Sequence, residues 1–377
     1  MVQLLPVVTE SDKRRFYRFA SRVHGRDPTW VPPVWPQRKA YLDKTAPFFR
    51  HGEGAFWIAR DGNGIVGTVG AAVDHTQNRH LGTNAAIFGF FDVFPDRYPV
   101  AVALWDRVRA WARERGLTEV QGPRSFGPYE DRGFLVEGFD RQPGSLLAHS
   151  PPYYHEFAVR YGWEVHSESI AYRLDLRPFR AEPAAFPRSA LRAAARARAR
   201  HGPGLVRPVR LSDWDREIAR LHEIYNRAQA SIEDFVPVEF QEFCRLAQTL
   251  RPIVDPDLII LAEAGGRPIG LAIAYPDLAE LVRRARGLRH FWNHLALILA
   301  KRRAKGTCFK VLAVAPEHRA RGVDAALCIG IIETAARKGY EWMELSLTDA
   351  RNHNTSGIAE KFGASVDRRY RDYRIGV

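Results

Sequence analysis

The stretch Val311–Leu347 constrains the fold more than any other part of the sequence. An apolar run at Val311–Ala315 predicts a buried strand, and a short polar loop, Glu317–Val323, follows it. Apolar residues then recur at helical spacing over Asp324–Lys338, and Trp342–Leu347 predicts a second strand. A strand that passes through a tight loop into a long helix and returns as a strand is typical of a helix packed on a sheet.

The loop of this stretch favours an anionic ligand. Backbone N–H groups in the first turn of a helix have no intrahelical acceptor, and the helix dipole adds partial positive charge there. We therefore expect a pyrophosphate site in which Gly322 allows close backbone approach and Arg319 and Arg321 add charge. The Arg-x-x-Gly spacing alone fits a capped helix with a basic first turn equally well, so both interpretations stay open.

The two halves of the chain show the same order of predicted elements. Hairpin signals occur at Asp61–Gly64 and at Gly265-Gly266. Each half is predicted as three strands, a helix, a strand, a helix and a strand, which indicates a mixed sheet flanked by helices in an α/β (α+β) fold class. The other predicted elements are Ala55–Arg60, Ile65–Val73, Ala86–Val93, Val100–Arg115, Leu117–Gln121, Tyr154–Tyr161, Glu168–Leu176, Asp213–Gln229, Val238–Ala247, Leu258–Ala264, Pro268–Tyr275, Phe309–Ala315, Ser356–Phe362 and Arg369–Ile375.

A proline-rich seam separates the halves. It predicts a domain at 1–180, a linker rich in Ala, Arg and Pro at 181–204, and a second domain at 205–377. The run Ser189–Arg200 favours a helix, and because its apolar face is almost entirely alanine we expect a solvated linker helix. The alternative is a nucleic-acid-binding arm formed by Arg192, Arg196, Arg198 and Arg200.

Composition narrows the class of protein. With 377 residues, 46% hydrophobic and 26% charged, the sequence is not that of a disordered, collagen-like or polytopic membrane protein. Three scattered cysteines, no secretory signal and no apolar run of about 18 residues predict a cytoplasmic protein. A formal charge of +13 favours an anionic partner: a nucleotide cofactor, RNA or an anionic membrane surface.

One segment is unusual. Residues 283–303 combine an apolar stretch with basic residues at both ends. Such a segment is expected to be a lid packed on its own domain, a wall of a long-acyl pocket, or a helix lying on an anionic membrane as a peripheral contact. The lid is the preferred interpretation, because most apolar helices are buried against their own domain.

Together, the strand, the Arg-x-x-Gly loop, the long helix and the following strand resemble the coenzyme A-binding core of the GNAT (GCN5-related N-acetyltransferase) superfamily. Asn352 and the later run Ala359–Ala364 resemble the closing signature of that family. The first half resembles a degenerate second copy, since Phe94–Pro99 contains no glycine for a phosphate loop. The whole chain resembles little-characterised bacterial tandem-GNAT proteins through Gly138-Phe139-Asp140, Pro151–Tyr154, Ile253–Asp257 and Arg369–Tyr373.

This resemblance implies a cofactor and its contacts. The co-substrate would be acetyl-CoA or another acyl-CoA, with no metal. Pantetheine would bind to strand residues that splay from the next strand, namely Val311, Leu312, Ala313 and Val314. The pyrophosphate would bind to the loop residues Arg319, Ala320, Arg321, Gly322, Val323 and Asp324. Asn352 would contact the cofactor or position the thioester. Two departures matter, since a carboxylate stands at Asp324 in place of a small residue and Ala359 replaces the tyrosine that usually returns a proton to the thiolate.

The expected reaction is transfer of an acyl group from acyl-CoA to a small-molecule amine by direct attack. Candidate bases are Glu344, Glu263 and Asp277, and candidate proton donors are Tyr370, Tyr373 and Tyr275. The loop Pro128–Gly133, with Glu137 beyond it, is either a functional loop or a solvated turn. Two rival functions remain, a tandem-GNAT transferase that takes aminoacyl-tRNA as donor and a non-catalytic module that binds a CoA thioester or a partner.

Overall fold

A computed structural model describes the chain except for residues 1, 63, 128–131, 182–184, 233–234, 252–253, 291, 294–296, 298 and 300. Part of the predicted loop at 128–133 and part of the apolar segment at 283–303 therefore lie outside the described residues. The elements up to residue 201 are β1 Gln3–Pro6, α1 Glu10–His24, α2 Trp35–Leu42, β2 Gly52–Asp61, β3 Gly64–Asp74, α3 His75–Leu81, β4 Ala85–Val93, α4 Tyr98–Arg113, β5 Glu119–Gly122, β6 Phe134–Glu137, α5 Pro152–Tyr161, β7 Glu164–Asp175, α6 Pro178–Ala181 and α7 Arg188–His201.

The rest of the chain follows the predicted order closely. Its elements are β8 Val206–Pro208, α8 Trp214–Gln229, α9 Phe240–Leu250, β9 Ile259–Ala264, β10 Arg267–Pro276, α10 Ala279–Arg284, β11 Gly306–Val314, α11 Val323–Arg337, β12 Trp342–Asp349, α12 His353–Lys361 and β13 Ser365–Gly376.

The chain forms two compact units. Unit 1 consists of Met1–Ile170, Ala279–Leu295 and Asp367–Val377, and unit 2 of Ala171–Leu278 and Ala296–Val366. Two segments that the sequence places in the domain at 205–377 thus belong to the first unit, namely Ala279–Leu295 and Asp367–Val377. Both carry contacts that no local pattern reveals, such as the backbone bond from Trp35 N–H to the Gly287 carbonyl at 2.8 Å.

Unit 1 is a mixed sheet with helices on both faces. Its strands lie in the order β1-β2-β3-β4-β5-β13-β7, with antiparallel pairing from β1 to β4 and a parallel pair β4–β5. The predicted hairpin is present, with Asp61 opposite Gly64. Neighbouring residues of β2 enter different cores, Trp57 with the α4 and α5 side chains and Phe56 with those of α1 and α2, because side chains alternate across a strand.

The last strand is anchored in unit 1 by buried charge. Arg368 is fully buried and donates to the backbone carbonyls of Gly138, Arg141 and Gln142 at 2.5–2.9 Å. Asp372 accepts from Arg132 Nε at 2.5 Å. These hydrogen bonds satisfy groups that would be costly to bury alone, so β13 packs where its partners lie.

Unit 2 repeats the same arrangement. Its strands lie in the order β7-β12-β11-β10-β9-β8, antiparallel from β8 to β11 and parallel between β11 and β12. The long helix α11 packs on β9, β10 and β11, and α8 packs on β10 and β11. Both units therefore have the predicted mixed, mostly antiparallel sheet flanked by helices.

Candidate functional site

The parallel pair β11–β12 opens along its length. Pairing runs from Gly306–Trp342 to Phe309–Leu345, and the registered pairs end there although β11 continues to Val314. On its other edge, β11 stays paired with β10 as far as Val314. Backbone groups of residues 311–314 that face away from β10 therefore have no registered partner in β12, and the Val314 carbonyl accepts from Arg319 Nε at 3.2 Å.

A bulge marks the point where the strands part. The register with β10 shifts between Ile273–Val311 and Ala274–Phe309, so Lys310 is an extra residue in β11. Bulges bend a strand and change the direction of its side chains. The bulge explains why β11 leaves β12 directly after Phe309.

The loop after β11 turns sharply into α11. Residues Pro316–His318 form a short 3-10 turn, Ala320 has φ 55° and Gly322 has φ 83°. The helix then begins at Val323, so the N–H groups of Val323 and Asp324 have no intrahelical acceptor. This is the geometry expected of an anion-binding loop at a helix N-terminus.

The side chain of Arg319 holds this loop in place. It donates to the carbonyls of Val314 at 3.2 Å and Ala228 at 2.6 Å, and to Ser231 Oγ at 2.8 Å. Arg319 therefore ties the loop to β11 and to the end of α8, and its guanidinium donates into the protein. The sequence instead predicts that this charge binds a ligand.

Helix α7 is not the solvated linker helix that the sequence predicted. Ala194 and Ala197 are buried, and α7 packs extensively on α11. A Cβ atom at Gly322 would lie 2.2 Å from the Ala193 carbonyl oxygen, so glycine is required for this approach as well as for its positive φ. Alanine side chains are small, so a helix face made of alanine lets α7 and α11 come close together. The same small side chains make the apolar stripe of α7 narrow.

A cavity of about 480 Å³ lies between α7 and the loop. It is lined by Ala193, Arg196, Arg200, Ala320, Arg321 and Gly322. From the sequence, Arg196 and Arg200 are predicted only as members of the alternative nucleic-acid-binding arm. Their spacing of four residues, which puts both on one helix face, was the available signal.

Glu344 lies at the closed end of the strand opening. It pairs in register with Cys308, which pairs in turn with Tyr275, so the three form one row across β12, β11 and β10. All three are buried. Burial, with Cys308, Glu344 and Asp277 nearby, raises the pKa of Tyr275 well above its usual value.

Other predicted residues have different surroundings. Asn352 caps α12, where its Oδ1 accepts from the Thr355 N–H at 3.2 Å. Tyr370 and Tyr373 are buried in unit 1, where Tyr370 donates to the Ala148 carbonyl and the Tyr373 hydroxyl lies 2.6 Å from His155 Nδ1. Burial raises the pKa of Tyr373.

Local contacts account for one carboxylate among the candidate bases. Burial alone would raise the pKa of Glu263, but hydrogen bonds from Arg207 and the charge of Arg220 lower it below its usual value. Glu263 is thus an ion-pair partner. Asp324 lies in the first turn of α11, and burial together with this carboxylate raises the pKa of the Cys328 thiol to about 12.

Within the described residues, no group of three or more His, Cys, Asp or Glu side chains is arranged to hold a metal ion. In the same part of the chain, no helix is both long enough and apolar enough to cross a bilayer.

Known proteins that are similar in sequence align over nearly the whole of this chain. No protein-family model matches the chain. It is 28% identical over 384 residues to a bacterial ceramide synthase from Caulobacter vibrioides, covering 99% of this chain and 97% of the relative. It is 25% identical over 372 residues to protein YghO of Escherichia coli, covering 97% and 93%.

Solved structures share the architecture over the full chain. A tandem GNAT protein from the clavulanic acid biosynthesis pathway superposes with a TM-score of 0.58 at 15% identity, covering 100% of this chain and 98% of that one. A GCN5-related N-acetyltransferase from Sphaerobacter thermophilus gives 0.54 at 14% identity, covering 100% and 95%. The chain therefore has the tandem GNAT fold.

Proposed function

We propose that this protein is an acyl-CoA-dependent N-acyltransferase whose acceptor is a long-chain lipid amine. The observation that carries the proposal is the opening between β11 and β12 beside a positive-φ loop that enters α11. An extended pantetheine arm fits a gap between splayed strands, and a diphosphate fits the N-terminus of α11. Both features lie in unit 2, on consecutive elements.

The lipid character of the acceptor is supported by a relative. The Caulobacter vibrioides protein, which aligns over nearly all of both chains, is named a bacterial ceramide synthase. A ceramide is the amide of a long-chain amino alcohol and a fatty acid. Formation of such an amide from a fatty acyl-CoA is the reaction class that we propose here.

In the proposed reaction the amine nitrogen attacks the thioester carbonyl carbon. A C–N bond forms, the C–S bond breaks, and backbone N–H groups of Val311–Val314 stabilise the oxyanion. Glu344 is the proposed base that takes the first proton from the ammonium group. Its position at the closed end of the strand opening supports this role.

The leaving thiolate needs a proton, and Tyr275 is the proposed donor. It lies in unit 2, in the same row as Glu344, whereas Tyr370 and Tyr373 belong to unit 1. Its hydroxyl is protonated at neutral pH, as is any tyrosine whose pKa lies at or above the usual value of about 10. The tyrosine regains a proton from the second amine hydrogen, so the products are the amide and coenzyme A.

The test is release of free coenzyme A, together with mass spectrometry of the product. Acetyl-, octanoyl- and palmitoyl-CoA are each offered with sphinganine, glucosamine and spermidine. We expect an N-acyl product from palmitoyl-CoA and sphinganine, a large loss of kcat in Glu344→Gln, and no change in the exposed control Glu360→Gln.

Two results would contradict the proposal in different ways. Saturable binding of acyl-CoA without an amide product from any amine would favour a non-catalytic module. Failure to bind any acyl-CoA, combined with salt-dependent binding of tRNA, would favour an aminoacyl-tRNA donor.

A further inference from the structure

We infer that helix α7 supplies the wall of the coenzyme site that recognises the ribose 3′-phosphate, through Arg196 and Arg200. This inference rests on the proposed function and adds a specificity determinant to it. The cavity of about 480 Å³ has two walls, one from the loop at 320–322 and one from α7. Helix α7 lies between β7 and β8 in sequence, outside the strand–loop–helix segment that contains the loop.

The charge around this cavity is unbalanced. Arg196, Arg200 and Arg321 all line it, and within the described residues none of them makes an ion pair with a carboxylate. By contrast, Arg207 of the same unit pairs with two carboxylates, those of Glu217 and Glu263. Three cations around one cavity repel each other, and a bound anion removes that repulsion.

The arginines stand on a fixed support. Ala194 and Ala197 bury one face of α7 against α11, and Arg196 and Arg200 share the neighbouring face because they are four residues apart. A ligand phosphate would therefore meet two guanidinium groups whose backbone is already held in place. Guanidinium binds phosphate oxygens in pairs, which makes arginine selective for this group.

The two phosphate-bearing parts of coenzyme A are assigned to different walls of the cavity. Coenzyme A carries a diphosphate bridge and a separate phosphate on its ribose 3′ oxygen. The diphosphate suits the N–H groups at Val323 and Asp324, which lie in the first turn of α11. The second wall of the cavity is then left for the 3′-phosphate.

The test compares coenzyme A with dephospho-coenzyme A, which lacks only the 3′-phosphate, by isothermal titration calorimetry. We expect the wild type to prefer coenzyme A at least tenfold. The double variant Arg196→Ala/Arg200→Ala is expected to lose this preference while its Kd for dephospho-coenzyme A stays within about twofold of wild type. Arg198→Ala is the matched control, because it lies on the same helix, is exposed and faces away from Arg196 and Arg200.

Each outcome decides the inference. A double variant that keeps the wild-type preference overturns it and leaves the proposed function intact, since coenzyme A still binds. Equal weakening of both ligands would assign the arginines to the diphosphate and overturn the 3′-phosphate assignment. If the wild type binds neither ligand, the proposed function and the inference fail together, and circular dichroism of each variant shows whether α7 stays folded.

Discussion

Replacing Gly322 with alanine tests whether the close packing of α7 on the loop requires glycine at this position. The new Cβ would lie 2.2 Å from the carbonyl oxygen and 2.7 Å from the carbonyl carbon of Ala193. These are backbone atoms, so α7 itself must move, and overpacking of this kind costs about 1–3 kcal/mol. The φ of 83° adds about 1–2 kcal/mol for a left-handed alanine. We expect Gly322→Ala to lower the free energy of unfolding by about 2–5 kcal/mol in all.

Gly339→Ala is the matched control at the other end of α11. Gly339 has φ 93° and would place its Cβ in open space, with nothing within 4 Å. Its expected cost is therefore only the left-handed part, about 1–2 kcal/mol. Urea unfolding measures both losses, and amide hydrogen exchange reports whether α7 loses protection in Gly322→Ala alone. Equal destabilisation at the two glycines, with α7 protection unchanged, would refute the packing of α7 on the loop.

Three further predictions concern the buried groups. Burial lowers the pKa of His149 despite its contact with Asp27, so the unfolded chain binds the proton first as the pH falls. The free energy of unfolding should therefore decrease below about pH 6.5, by at most about 1.4 kcal/mol per pH unit for this group. A urea midpoint that is constant between pH 7.5 and 5.5, or that falls equally steeply in His149→Gln, would contradict this. Arg368→Met should cost about 3–5 kcal/mol because it removes the shared donor of three carbonyls and one of the two cationic partners of buried Asp367, whereas a loss in urea unfolding below about 1 kcal/mol would show that the network is dispensable. A thiol reagent should modify partly exposed Cys244 in the native protein and buried Cys328 only after unfolding, and rapid modification of both would show that α11 opens readily.

Gly322 packs against Ala193 of α7, which limits its use in testing the proposed coenzyme site. A substitution there disturbs α7, so a loss of ligand binding in Gly322 variants does not identify the atoms that touch the ligand. The arginines of the cavity are exposed and bear on the fold much less. Variants at Arg196 and Arg200 therefore separate recognition from packing.

Local patterns were sufficient to predict most of the elements. Helix α11 was expected at Asp324–Lys338 and spans Val323–Arg337, and the hairpin turn at Asp61–Gly64 joins β2 and β3. Such features depend on apolar periodicity and turn residues, which are properties of neighbours in sequence. The loop from Arg319 to Gly322 was likewise visible, because a buried strand, a glycine and a helix start follow one another directly.

Contacts between distant residues decided the rest. The place of β13 in unit 1 depends on Arg368 reaching the carbonyls of residues 138–142, and no local pattern encodes a partner more than 200 residues away. The packing of α7 depends on alanines that are equally compatible with water, so the sequence favoured a solvated helix where the structure buries Ala194 and Ala197. The sequence thus determined which segments become strands and helices, because local backbone preference and side-chain period fix them. Tertiary structure determined which of them meet, because burial is a property of the surfaces that are brought together.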